Sequence, residues 1–293
     1  MASKRSRGGG FVAVMLVLVV GAAAVIWGPG LLRQHAYKLE AQSCTVAMGE
    51  YTDFKTAEQA NNAAIIAAVG MSYGFGVDGV TVALATAIQE SDLRNLDYGD
   101  RDSLGLFQQR PSQGWGTEEE VRDPHYASSK FYQALERVEG WEDMPVTVAA
   151  QEVQRSGFPD AYADHEDEAR AWATALTGGA AIIDCHIDSA ILGSAKAFTD
   201  RLNQDYGSGR YAVEIVDVDG DRTHVLVTPI DAGDAYESAA KSVREWTVAT
   251  ASTTGATEAS GYGEVWTNGR GRSVVEIDDT GGPTGVDVII ATS

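Results

Sequence analysis

The sequence predicts a chain of several parts: a mainly α domain, then a small α+β domain, behind an N-terminal transmembrane or signal helix. Three observations carry that expectation. Residues 11–32 form an uncharged apolar run behind Lys4, Arg5 and Arg7. From about 55 to 177 apolar residues recur at helical spacing, and from 188 onward alternating Val-rich runs separated by Gly turns take over.

The N-terminal run reads as a signal anchor flanked by the basic residues 1–10 on the cytoplasmic side, or as a cleaved signal peptide, since Gly21-Ala22-Ala23-Ala24 offers small residues. Either way the rest of the chain is expected outside the cytoplasm, held at the cell membrane by a single pass or secreted. A formal net charge of -20 over 293 residues argues against a nucleic-acid partner, because phosphate contacts need Lys and Arg. The two cysteines, Cys44 and Cys185, stand just before and just after the helical segment. In an exported chain they predict a disulfide that ties its ends and bounds a domain at 44–186.

Within that domain Ala57–Val69 and Val80–Glu90 are predicted helices. The second is apolar along one stripe, with Ala83 and Ala85 allowing close helix approach. A loop at 97–117 precedes helices at Tyr126–Arg137, Val146–Val153 and Asp164–Leu176, the last with acids in its first turn. Residues 188–293 are expected to hold a helix at Ser189–Tyr206 and a hairpin of Tyr211–Val218 with Thr223–Pro229. A helix at Ala232–Trp246 and strands at Gly263–Thr267, Ser273–Asp278 and Val286–Ala291 follow. Thr250–Gly261 reads as a loop, and Asp217-Val-Asp219-Gly-Asp221 as a hairpin turn, since its order is wrong for a calcium loop. The histidines lack metal spacing, so neither metal nor cofactor is expected.

Glu90 closes an apolar helix, where desolvation and the helix dipole disfavour a carboxylate and are expected to raise its pKa; the alternative is a solvated Glu at a frayed helix end. A raised carboxyl pKa suits a general acid at neutral pH. The stretch beyond supplies neutral hydrogen-bonding groups at Ser91, Ser103, Gln108 and Gln109, and flat rings at Tyr98, Phe107, Trp115 and Trp141. Such a set fits an uncharged carbohydrate better than a phosphate. Asp97, Asp100 and Asp102 are candidates for a second carboxylate, or form a solvated turn.

Glu90-Ser91 followed by Ser103-Leu104-Gly105-Leu106-Phe107-Gln108 resembles the Glu-Ser and Gly-Leu-(Met/Phe)-Gln motifs of soluble lytic transglycosylases, relatives in fold of goose-type lysozymes. The resemblance spans about residues 55–180. It implies a lysozyme-like domain that cleaves the β-1,4 bond between N-acetylmuramic acid and N-acetylglucosamine in peptidoglycan glycan strands. Glu90 would be the catalytic acid/base, Ser103 and Gln108 would border the saccharide groove, and Gly105 would keep it open. The family's third motif, Ala-Tyr-Asn-Ala-Gly, falls near Val148–Val153, where Gln151 and Glu152 stand in place of Tyr and Asn. An aromatic facing the site is expected at Tyr162, with Trp172 behind it.

The alternative reading is a glycan-binding or cell-wall assembly protein that keeps the groove without turnover. For the module at 188–293 acidity favours a protein partner, or packing against the catalytic domain, over binding to anionic wall polymers.

Overall fold

The computed structural model describes residues 42–188, 191–275 and 285–292. The expected membrane or signal helix at 11–32 lies outside them, and among the described residues no helix is long and apolar enough to cross a membrane.

The chain enters through a hairpin that periodicity did not reveal. Strands β1 (Gln42–Met48) and β2 (Tyr51–Thr56) are antiparallel and turn at Gly49, whose φ of +61° favours glycine. On the other side of β1 lies β3 (Ile182–Ile187), giving a three-stranded order β2-β1-β3. Cys44 and Cys185 face each other across β1 and β3 with Cα atoms 4.0 Å apart, and the disulfide forms as expected. A link across 141 residues restricts the unfolded chain by about 5 kcal/mol in the entropic account.

Between β2 and β3 run the helices. Thr56 caps α1 (Ala57–Ser72) in a reciprocal box with Gln59, so the helix starts where the strand stops. Helix α2 (Val77–Ser91) is buried from Gly79 through Ile88. The short α3 (Glu118–Arg122) packs on α4 (Pro124–Leu135), and α4, α5 (Val146–Gln154) and α6 (Glu166–Leu176) pack around α2, with a 3₁₀ turn at Ala161–His165 leading into α6. α2 packs most extensively on α6, through the small residues on both.

After β3 come α7 (Ala195–Tyr206), the hairpin β4 (Tyr211–Asp219) and β5 (Arg222–Pro229), then α8 (Tyr236–Ala249) and α9 (Ala251–Thr254). Strands β6 (Ala256–Gly261), β7 (Glu264–Thr267), β8 (Gly271–Val274) and β9 (Val286–Ala291) complete an antiparallel six-stranded sheet, β4-β5-β9-β6-β7-β8. Thr250–Gly261, expected as a loop, is therefore the whole of the short α9 and strand β6. Its Ser and Thr residues hid a strand whose Ala256 and Ala259 are buried by β9 and α8.

The fold class is corrected accordingly. In place of a mainly α domain followed by a separate α+β domain, Gln42–Ser293 form one compact α+β unit with two antiparallel sheets. The physical reason is shared burial and shared hydrogen bonds. α1 packs on α7 and α8 as well as on α2. Trp266 Nε1 donates to the Cys185 carbonyl at 3.0 Å and Arg272 Nε to the Ile183 carbonyl at 2.6 Å. The Asn268 amide both accepts from and donates to the Ile187 backbone, at 2.9 Å each. The edge of the small sheet is thus satisfied by side chains of the large one, and neither half closes its core alone.

Candidate active site around Glu90

α2 ends abruptly just past Glu90. Asp92 and Leu93 both take left-handed backbone angles, with φ of 53° and 56°. The Gln59 amide donates to the Asp92 carbonyl and the Asn62 amide to the Leu93 carbonyl, each at 2.8 Å. Leu93 is fully buried. Polar side chains on α1 therefore fix the place where α2 gives out, which leaves Glu90 half-buried on its last turn.

Two neutral donors reach its carboxyl group. The Tyr162 hydroxyl donates to Glu90 Oε1 at 2.8 Å, and the Gln154 side chain hydrogen-bonds it as well. Burial pushes the Glu90 carboxyl above the ordinary glutamate range, and these hydrogen bonds offset part of the rise. Burial and the adjacent Glu90 charge push the Tyr162 phenol up, so it keeps its proton and remains the donor. Gln154 Nε2 also donates to the Phe107 carbonyl at 2.8 Å, which joins the end of α5 to the loop carrying the second motif.

The residues expected to bind sugar are placed variously. Tyr162, the aromatic that the family resemblance placed facing the site, meets Glu90. The Ser91 hydroxyl is buried and lies 2.7 Å from the Leu106 carbonyl and 3.0 Å from the Ala87 carbonyl, tying the helix end to the loop. Ser103 is buried in the loop. Gly105 has a φ of +78°, and a Cβ there would collide with the Val121 carbonyl; the glycine lets the loop pass against α3. Gln108 folds back onto its own loop, with Nε2 donating to the Tyr98 and Gly105 carbonyls at 3.2 and 3.3 Å. Gln109 is buried, and its Nε2 donates to the Ala127 carbonyl at 3.0 Å. Gln151 donates to the Ser156 carbonyl at 3.0 Å. Phe107 stacks on Phe131 in the core, with ring centroids 4.7 Å apart. Trp172 is buried and donates to Asp53 Oδ2 at 2.8 Å, an anchor for β2.

Of the candidate second carboxylates, Asp102 is tightly held. It accepts from Ser112 N at 2.7 Å, from Arg110 Nε at 2.9 Å and from Ser112 Oγ at 3.0 Å. Those bonds, the Ser112 backbone first, hold its carboxyl well below the usual range. Asp97 and Asp100 are exposed on the loop.

A cavity of about 780 Å³ opens between α4, the turn at 113–115 and the C-terminal end of α5, and neither Glu90 nor Tyr162 is part of its lining. Gln154 belongs to both, lining the cavity and bonding Glu90. Sequence reasoning missed Gln154, although it lies one turn beyond Gln151 on the same helix face and could have been found that way. It also missed a chain of side chains behind the site. His165 Nε2 lies 2.9 Å from Gln89 Oε1, His165 Nδ1 lies 2.7 Å from Glu168 Oε1, and Lys55 Nζ donates to Glu168 Oε2 at 2.7 Å. This chain pins the turn that carries Tyr162, and nothing local in the sequence announces it.

No known family model matches the chain, and comparison with curated proteins finds no match. Among the described residues no group of three or more His, Cys, Asp or Glu is placed to hold a metal ion.

Proposed function

We propose that the protein cleaves the β-1,4 glycosidic bond of peptidoglycan strands with Glu90 as the acid. The observation that carries this reading is a carboxyl group on the last turn of a buried helix, raised by burial and met, among the described residues, by the neutral donors Tyr162 and Gln154. Such a group keeps its proton at higher pH than a solvated glutamate and delivers it to a leaving oxygen. The Glu-Ser and Gly-Leu-Phe-Gln motifs support the same substrate class. The pinning of Asp102 by Arg110 and Ser112 favours a route in which Glu90, once ionised, takes the proton of the sugar's own 6-hydroxyl as that oxygen attacks, giving a 1,6-anhydro end. The disulfide supports an exported site of action.

Incubation with purified peptidoglycan followed by mass spectrometry tests the proposal. Anhydro ends are expected from the wild type and none from Glu90→Gln; reducing ends would replace the 6-hydroxyl with water as nucleophile. Equal release by the variant would remove Glu90 from the mechanism. The alternative of a glycan-binding protein without turnover draws support from Gln151, whose amide donates to the Ser156 carbonyl where the family's third motif carries Tyr. Strand binding with no products from the wild type would establish it.

A further inference from the structure

The two edges of the six-stranded sheet end differently. β8 lies against β3, with Arg272 bonded to the Ile183 carbonyl, whereas among the described residues no strand pairs with the outer side of β4. We propose that the open edge of β4 docks an extended segment of a partner protein in which apolar residues alternate with Lys or Arg. The proposal does not depend on the role given to Glu90.

The backbone and the apolar side chains give the first argument. Ile230 N donates to the Arg210 carbonyl at 2.8 Å, and bonding alternates along an antiparallel ladder. Ala212 and Glu214 therefore turn toward β5, and the N–H and C=O groups of Val213 and Ile215 point away from it. Such a row is a template for one more strand. The core face of the sheet is also left unfinished here. Val288 on β9 and Val225 on β5 stand in one row and are buried, while Ile215, next in that row on β4, is 57% exposed. Ile290, Thr223 and Val218 repeat the pattern, buried, buried and 61% exposed.

Charge decides the occupant. Glu214, Asp217 and Asp219 are exposed and lie opposite Leu226, His224 and Arg222, on the other face of the sheet from Ile215 and Val218. Tyr211–Asp219 contains no Lys or Arg, the residues that commonly guard an exposed edge. An antiparallel second copy of β4 that kept its apolar face with the core would bring both sets of acids to one face, where they repel. A partner strand with apolar residues on the core side and Lys or Arg on the other continues the rows of Ile215 and Val218 and sets cations beside the three acids. The bulge between Ile215 and Asp217 bends the edge, which suits one fitted strand better than indefinite stacking of edges.

Fluorescence anisotropy of the full chain with a labelled peptide of alternating valine and lysine tests the surface, against a second peptide of equal charge whose valines are replaced by proline. Proline stays apolar and extended but lacks the N–H that a new strand donates. The valine peptide is expected to bind about tenfold more tightly, and to slow hydrogen exchange across Tyr211–Asp219. Ile215→Lys/Val218→Lys, two changes at exposed positions, is expected to remove that advantage. Equal affinity for the two peptides would reduce the effect to general attraction between an acidic chain and a basic peptide, and overturns the proposal. So does the absence of binding, protection that lies outside Tyr211–Asp219, or an undiminished advantage in the folded double variant. Should that variant lose its fold, the two peptides compared on the wild type decide alone. Sedimentation of the full chain covers the rival occupant: a dimer with Tyr211–Asp219 protected would put a second copy on this edge and overturn the basic partner.

Discussion

Glu90 and Asp205 are both carboxylates taken out of water by the same fold, and their surroundings drive them in opposite directions. At Glu90 burial acts against two neutral donors and prevails, so the carboxyl is raised. At Asp205 burial also pushes upward, but His125 Nε2 at 2.6 Å and Arg201 Nε at 2.7 Å prevail, and the carboxyl is lowered. Trp246 Nε1 completes the shell of Asp205 at 2.8 Å. The degree of burial does not separate the two, since Asp205 is the more buried. The charge of the donors does. Neutral donors hold a carboxyl that can still take and give a proton, whereas the Arg201 cation keeps one ionised down to lower pH. The first arrangement suits chemistry; the second ties α7 to α4 and α8.

Four substitutions break or sharpen that contrast. Glu90→Gln is expected to lower cleavage of peptidoglycan by about 10²–10⁴-fold, the usual worth of a positioned acid, as measured by initial rates of product release. Asp205→Asn is expected to cost roughly 3–5 kcal/mol of unfolding free energy in a denaturant titration, because it leaves Arg201 without its buried counter-charge. The pH dependence of the wild type against each variant should run in opposite senses. The contribution of Asp205, with its lowered pKa, is present above the ordinary carboxylate range and is lost as pH falls through the folded value. The cost of ionising Glu90, with its raised pKa, is absent below the ordinary glutamate range and grows as pH rises toward the folded value. Glu90→Gln is therefore expected to melt higher than the wild type at neutral pH, with the gap closing under acid.

Tyr162→Phe removes a donor that favours the ionised carboxylate. The pH at which activity falls on the alkaline side should move upward, a shift that a merely structural role would not produce. The smallest effect is expected from His165→Ala, which frees the turn carrying Tyr162 from Gln89 and Glu168. A loss of about 1 kcal/mol or less in stability, with a lower kcat and little change in KM, would mark it as a positioning residue.

Helices were legible wherever one face repeats. The reading of Ala57–Val69 corresponds to Ala57–Ser72, Val80–Glu90 to Val77–Ser91, and Val146–Val153 to Val146–Gln154. The hairpin of β4 and β5 was equally plain, because Val alternation and Asp219-Gly220 act within a few residues. Strands β1, β2 and β3 were not. Their pairing joins Cys44 to Cys185 across the whole helical segment, and a partner that distant leaves no local period to read. β6 was hidden for a related reason: its small Ala, Ser and Gly residues look like a loop until β9 and α8 bury one side of it.

The sequence by itself determined the apolar helix that ends in Glu90, the motifs beyond it, and the two cysteines placed to close the segment, because each is a matter of residue type and short spacing. Only the tertiary structure decided that Gln59 and Asn62 stop the helix there, that Tyr162 and Gln154 meet the carboxyl, and that Asp102 is held by Arg110 and Ser112. It also decided that the two halves share one core. The reason is physical: burial and donor charge set the behaviour of a carboxylate, and both come from residues brought near by packing from distant parts of the chain.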